Sequence, residues 1–88
     1  MEVIVGSVVR SLAGRDKGNC FIVLMSEGDC ALLADGKLRK VQKPKKKKLK
    51  HLQKSGKIAL QLQERLLNNE PVEDWELRKA LAELVGTN

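Results

Sequence analysis

The chain has no tyrosine, one phenylalanine, one tryptophan, one histidine and two cysteines in 88 residues. Each scarcity closes a class of function. Reading single-stranded bases calls for aromatic platforms, and only Phe21 and Trp75 are available. Phe21 sits within an apolar run and Trp75 lies outside the basic segment, so both read as core residues rather than stacking surfaces. The lone His51 has no Ser/His/Asp or Cys/His constellation to join, and no metal-ligand cluster is suggested. Gly14 and Gly18 are too close for a P-loop, and Gly56-Lys57 is followed by Ile58 where that motif needs Ser or Thr. No apolar run approaches the roughly 18 residues of a membrane span. The start, Met1-Glu2-Val3-Ile4-Val5, lacks the basic opening and small-residue cleavage site of a signal peptide. We expect a cytoplasmic protein that is not an enzyme, with no cofactor, no membrane partner and no small-molecule substrate.

Acid is the other missing ingredient, and it is missing from one place. Residues 37–57 hold eleven Lys or Arg in 21 positions and no Asp or Glu. The net charge is −2 over residues 1–36, +11 over 37–57 and −3 over 58–88. A block of this kind is a landing surface for a polyanion. Lys37, Arg39, Lys40, Lys43, Lys45, Lys46, Lys47, Lys48 and Lys50 are the candidate phosphate contacts, because lysine and arginine release counterions from a nucleic-acid backbone whatever its sequence. His51, flanked by Lys50 and Lys54, can pair with a phosphate once protonated, although a lone histidine on a short strand is more often structural. A cluster such as Pro44 and the four lysines after it also suits a solvated linker, a nuclear import signal or a membrane-surface patch. An import signal would not need the other seven bases of the run, and the net acidic helices disfavour membrane docking.

A 42% apolar share is too high for a disordered chain, and the length allows one small domain. Residues 3–5 and 7–12 are rich in β-branched side chains, and the second stretch leads into a loop bounded by Gly14 and Gly18. Residues 20–25 form an apolar run of strand length, turned by residues 26–29 into a returning strand over 30–34. Asp35-Gly36 signals a tight hairpin, because both central positions of the favoured turn need positive φ, and residues 37–41 follow as the next strand. Pro44 marks an edge or crossover, and residues 49–53 supply a short final strand. Four or five short strands with tight turns favour a small closed barrel over an open sheet.

With Glu27-Gly28 as the turn, Cys30 falls opposite Met25 and Cys20 opposite Asp35. That separates the sulfurs by on the order of 17 Å, outside disulfide reach, and leaves two buried thiols acting as small hydrophobes.

From about Ser55-Gly56 the periodicity becomes helical. Ile58, Leu62 and Leu66, widened by Ala59, Leu60 and Leu67, predict a helix over residues 57–68, stopped by Asn68-Asn69 and Pro71. Glu73 and Glu76 have capping-box spacing, and Val72 with Leu77 has that of a hydrophobic staple. Leu77, Ala80, Leu81, Leu84 and Val85 form the apolar face of a second helix closed by Gly86. The expected division is residues 1–54, a β unit carrying the basic segment, and 55–88, a two-helix extension.

Residues 6–18, GSVVRSLAGRDKG, with the apolar strand after them, resemble a KOW motif: a strand runs into a glycine-bounded basic loop and a second strand follows. Together with the turn at 35–40 and Lys50-His51-Leu52, residues 2–53 are similar to small bacterial KOW-domain RNA-binding proteins and to archaeal and eukaryotic large-subunit ribosomal proteins built on the same barrel. The resemblance implies a mainly β protein with C-terminal α structure, a Src-homology-3-like barrel followed by a helical hairpin. It implies that Gly18 matches the motif's central glycine and that Arg15 and Lys17 touch RNA. The expected function is binding of structured, ribosomal RNA through backbone and shape, in association with the ribosome. The alternative is a module that docks on a ribosomal or transcription-machinery protein through its barrel or its acidic helices.

Overall fold

The computed structural model describes residues 3–86. Five strands come first: β1 (Ser7–Ser11), β2 (Cys20–Glu27), β3 (Cys30–Ala34), β4 (Lys45–Lys48) and β5 (Leu52–Ile58). A 3-10 turn (Leu49–His51) joins β4 to β5, and helices α1 (Leu60–Leu67) and α2 (Asp74–Val85) close the chain. The strands make one antiparallel sheet in the order β4-β3-β2-β1-β5. Among the described residues β4 and β5 are its edges, linked through the 3-10 turn and not by a strand ladder. Among the described residues no helix is long and apolar enough to cross a membrane.

Strand alternation sends side chains to opposite faces, and here both faces are buried. On one face Val8, Cys20, Ile22 and Ala34 pack with Ala59, Leu62, Val72, Leu77 and Leu81 of the helical segment. On the other Val9, Phe21, Val23, Ala31 and Leu33 pack with Val3, Leu49 and Leu52, which the curl of the chain brings over them. The helices therefore cover the sheet, and the expected apolar face of α2 is the one buried: Leu77 and Leu81 fully, Ala80, Leu84 and Val85 in part. Glu73 N–H donates to Glu76 Oε2 at 2.9 Å, and Gly86 ends the helix with φ of 82°. Arg65 crosses from α1 to Glu76 of α2 with bonds of 2.7 and 2.9 Å, and also donates to the Pro71 carbonyl.

Several local expectations give way to tertiary pairing. Residues 37–41 are not a strand. The Asp35 carboxylate accepts the backbone N–H groups of Lys37 (2.9 Å) and Arg39 (2.8 Å), and Arg39 O accepts those of Asp35 and Gly36, so the chain curls on itself and leaves the ladder. The strand next to β3 is instead the lysine run. Residues 49–51 form the 3-10 turn, and β5 continues to Ile58, with Ala59 N–H bonded to Gly6 O at 2.8 Å, so the helix begins three residues later than its periodicity suggests. Residues 3–5 lie outside any strand, although Val3 reaches the core. The β2–β3 turn is centred one residue later than expected and a bulge follows Val23, so Met25 faces Leu32 and Cys30 faces Glu27. Cys20 lies opposite Arg10 of β1, buried, while Cys30 is only half-buried. No disulfide joins them.

Candidate nucleic-acid interface

Lysine is a poor strand former, yet four in succession make β4. Pairing decides it: Lys45, Lys46, Lys47 and Lys48 lie opposite Leu33, Leu32, Ala31 and Cys30, and Leu49 N–H bonds to Asp29 O at 2.8 Å to hold the strand's end. An edge strand of lysines also resists pairing with other chains. Alternation then divides the four. Lys46 and Lys48 are exposed, whereas Lys45 and Lys47 share the side of buried Leu33 and Ala31.

Lys47 is a correction to the expected phosphate contacts. Its ammonium donates to Asp16 Oδ1 at 2.6 Å, Ser11 Oγ at 2.7 Å and the Ala13 carbonyl, and its side chain is 9% exposed. All three of its N–H bonds are taken internally. Burial alone would raise the Asp16 pKa, but hydrogen bonds from Lys47 and Ser11 and the charge of Lys47 outweigh it and hold the carboxyl below its ordinary value. The second carboxylate oxygen of Asp16 takes no hydrogen bond.

This clamp shapes the β1–β2 loop. Asp16 points inward between Arg15 and Lys17, which are both exposed. The loop backbone is fixed by Gly18 N–H to Ser11 O (2.8 Å) and Ser11 N–H to Asn19 O (2.9 Å). Gly18 has φ of 90° and open space where a Cβ would stand, so glycine is needed there for conformation and the backbone remains approachable. Arg10 donates to Gly18 O at 3.1 Å, adding an exposed cation that sequence reasoning did not select. Its only signal was a charged position in a strand otherwise made of serine and valine.

Four further bases sit on the connection from β3 to β4, which leaves the sheet at the same end as the β1–β2 loop in the strand register. Lys37, Lys40 and Lys43 are exposed and Arg39 is half-buried. This connection is strapped to α2: Val41 N–H donates to Asp74 Oδ1 at 2.7 Å, and Arg78 Nη1 to the Gly36 carbonyl at 2.6 Å. Gly36 has φ of 77°, and a Cβ there would collide with the Asp74 carbonyl. Arg78, exposed beside this loop, is a second cation not selected from sequence. Lys50 is exposed on the 3-10 turn, while His51 is half-buried and its carbonyl accepts Leu12 N–H at 2.8 Å. Lys46 reaches Glu27 at 3.5 Å, an exposed pair that is worth little.

The arrangement is thus a set of exposed cations on internally bonded backbone, with one lysine withdrawn to hold two of the carrying segments together. Among the described residues no group of three His, Cys, Asp or Glu comes together in a way that could hold a metal ion. No protein-family model matches the chain, and a search of curated proteins finds no matching relative.

Proposed function

We propose that the chain binds structured RNA, ribosomal RNA in particular, through phosphate contacts made by its basic surface, acting as a ribosome-associated protein of the cytoplasm and not as an enzyme. The observation that carries this reading is the exposed set Arg15, Lys17, Lys37, Lys40, Lys43, Lys46, Lys48 and Lys50 held on a folded scaffold. Cations on fixed backbone lose less conformational freedom on binding than those of a disordered tail. Arg39, Lys45 and His51 are half-buried and would contribute less. Gly18 offers backbone to the RNA, and Lys47 supports the loop from behind.

We further read the sheet as a Src-homology-3-like barrel of KOW type. In support, β1 pairs with both β2 and β5, the 3-10 turn bridges the two edge strands, and the glycine-bounded loop joins β1 to β2.

Titrating affinity for a structured RNA against salt tests the proposal. About six phosphate contacts would cost roughly 10³ in affinity between 50 and 200 mM salt. A log K that barely moves with log[salt] would sink it. The second reading, docking on a protein of the transcription or translation machinery, has in its favour the acidic helical segment and a cleft of about 310 Å³ between α1 and α2. Co-purification with such a protein after nuclease treatment would favour it. Co-migration with ribosomal subunits that is lost at high salt would favour RNA.

A further inference from the structure

Trp75, read from sequence as a core residue, is 52% exposed, while Phe21 is fully buried as expected. It stands on the outer side of α2, opposite the core residues Leu77 and Leu81. Positions 75, 78 and 79 are neighbours on a helix surface, so the indole shares its face with Arg78 and Lys79. Two of the three bases in residues 58–88 are therefore beside the one exposed aromatic ring. Arg78 is bonded to Gly36, and Asp74, the residue before Trp75, is bonded to Val41. The ring itself lines the cleft between α1 and α2 with Glu76, Lys79 and Glu83, and Asp74 and Arg78 beside it on the helix meet the loop bearing Lys37, Arg39 and Lys40. The indole N–H donates to Glu73 Oε2 at 3.0 Å, which fixes the ring's orientation before any ligand arrives. The Glu73 carboxylate repels phosphate, so a strand passing over the indole runs on the Arg78 and Lys79 side.

We propose that Trp75 is a stacking platform for one unpaired nucleotide of the bound RNA, with Arg78 and Lys79 neutralising the phosphates beside it. The inference rests on the RNA-binding reading and sharpens its substrate class: a structured RNA with an unpaired base next to its helical part. Stacking on an aromatic face tolerates any base, and Arg and Lys add charge without sequence preference.

The chain has one tryptophan and no tyrosine, so its emission reports Trp75 alone. The test titrates the whole protein with a hairpin RNA closed by a loop of unpaired adenines and, separately, with a blunt duplex carrying the same number of phosphates. The expected result is quenching by the hairpin and little by the duplex, with W75A about tenfold weaker on the hairpin and unchanged on the duplex. W75F keeps a ring and should retain most of the hairpin affinity, which separates stacking from a folding defect. Equal emission changes with both RNAs, or a W75A loss equal on both, overturns the inference while leaving phosphate binding intact. So does a W75A variant with unaltered affinity for both, which would leave the cleft between α1 and α2 to a protein segment. A wild-type chain that binds neither RNA overturns both this inference and the reading beneath it.

Discussion

The basic edge strand and the second helix both carry charge over an apolar core, and they do so with different periods. In β4 the period is two, so every second lysine is directed to the interior side whether or not the interior can accept it. In α2 the period is 3.6, and the apolar stripe of Leu77, Ala80, Leu81, Leu84 and Val85 leaves a broad outer face for Trp75, Arg78, Lys79 and Glu83. The strand therefore needs an internal counter-charge and the helix does not. Asp16 is that counter-charge, and supplying it ties the β1–β2 loop to the sheet edge. A run of identical residues in sequence becomes two kinds of lysine in structure, outward Lys46 and Lys48 for solvent or ligand and inward Lys47 for the fold.

The sharpest way to break this comparison is to remove the counter-charge. Asp16→Ala leaves the Lys47 ammonium buried without its carboxylate and should cost about 2–3 kcal/mol, just under the range of about 3–5 kcal/mol for breaking a deeply buried pair because this one lies just beneath the surface. For a chain of this size that is a fall in Tm of about 10–20 °C, read by circular dichroism. Should Lys46→Gln and Lys47→Gln lower Tm equally, the division into outward and inward lysines is wrong. The pair also carries a pH signature. Its folded-state pKa is depressed below the ordinary 3.8, so Asp16 contributes stability fully above that value and loses it as pH falls through the lower folded one. The gap in Tm between wild type and Asp16→Asn should be constant at neutral pH and shrink below about pH 4. A gap that widens with acid contradicts the assignment.

Next in size is Gly36→Ala, which tests how the basic loop is fixed to the helix. The added Cβ meets the Asp74 carbonyl and the backbone holds a positive φ, so both strain and collision oppose it. We expect about 2 kcal/mol of destabilisation and faster amide exchange at Val41, whose N–H is bonded to Asp74. A variant as stable as wild type would mean that the loop is not held against α2.

Much of the helical half was legible in the sequence because its signals are local. The stop at Asn69, which takes a positive φ of 58°, the bond from Glu73 N–H to Glu76 and the Gly86 end all follow from neighbouring residues. The strand half was less legible because partners decide it. Residues 37–41 follow the Asp35-Gly36 hairpin signal, but the Asp35 carboxylate offers the N–H groups of Lys37 and Arg39 a nearer acceptor. Residues 45–48 have the composition of a solvated linker, but β3 offers them a ladder. The basic surface was readable as composition, since counting charge needs no geometry. Its internal division was not, because it depends on register with Ala31 and on an aspartate 31 residues away in sequence. Trp75 reads as core because it lies outside the basic segment, yet the stripe of Leu77, Ala80, Leu81, Leu84 and Val85 already leaves position 75 off the buried face.

The smallest effect on the fold should come from the outward lysines, and it is the one that bears most directly on ligand binding. Lys46→Gln with Lys48→Gln removes two exposed charges and one weak contact to Glu27, so stability should change by less than about 0.5 kcal/mol. RNA affinity should fall to a similar degree for many sequences, and the slope of log K against log[salt] should become shallower by about two, because two fewer phosphates are neutralised. Lys47→Gln is the matching control. It should lower Tm while leaving that slope nearly as it was, since an ammonium bonded to Asp16, Ser11 and Ala13 has no hydrogen left to give a phosphate. If instead Lys47→Gln flattens the salt slope as much as the outward pair does, the inward lysine reaches the ligand, and the strand's alternation does not separate folding from binding.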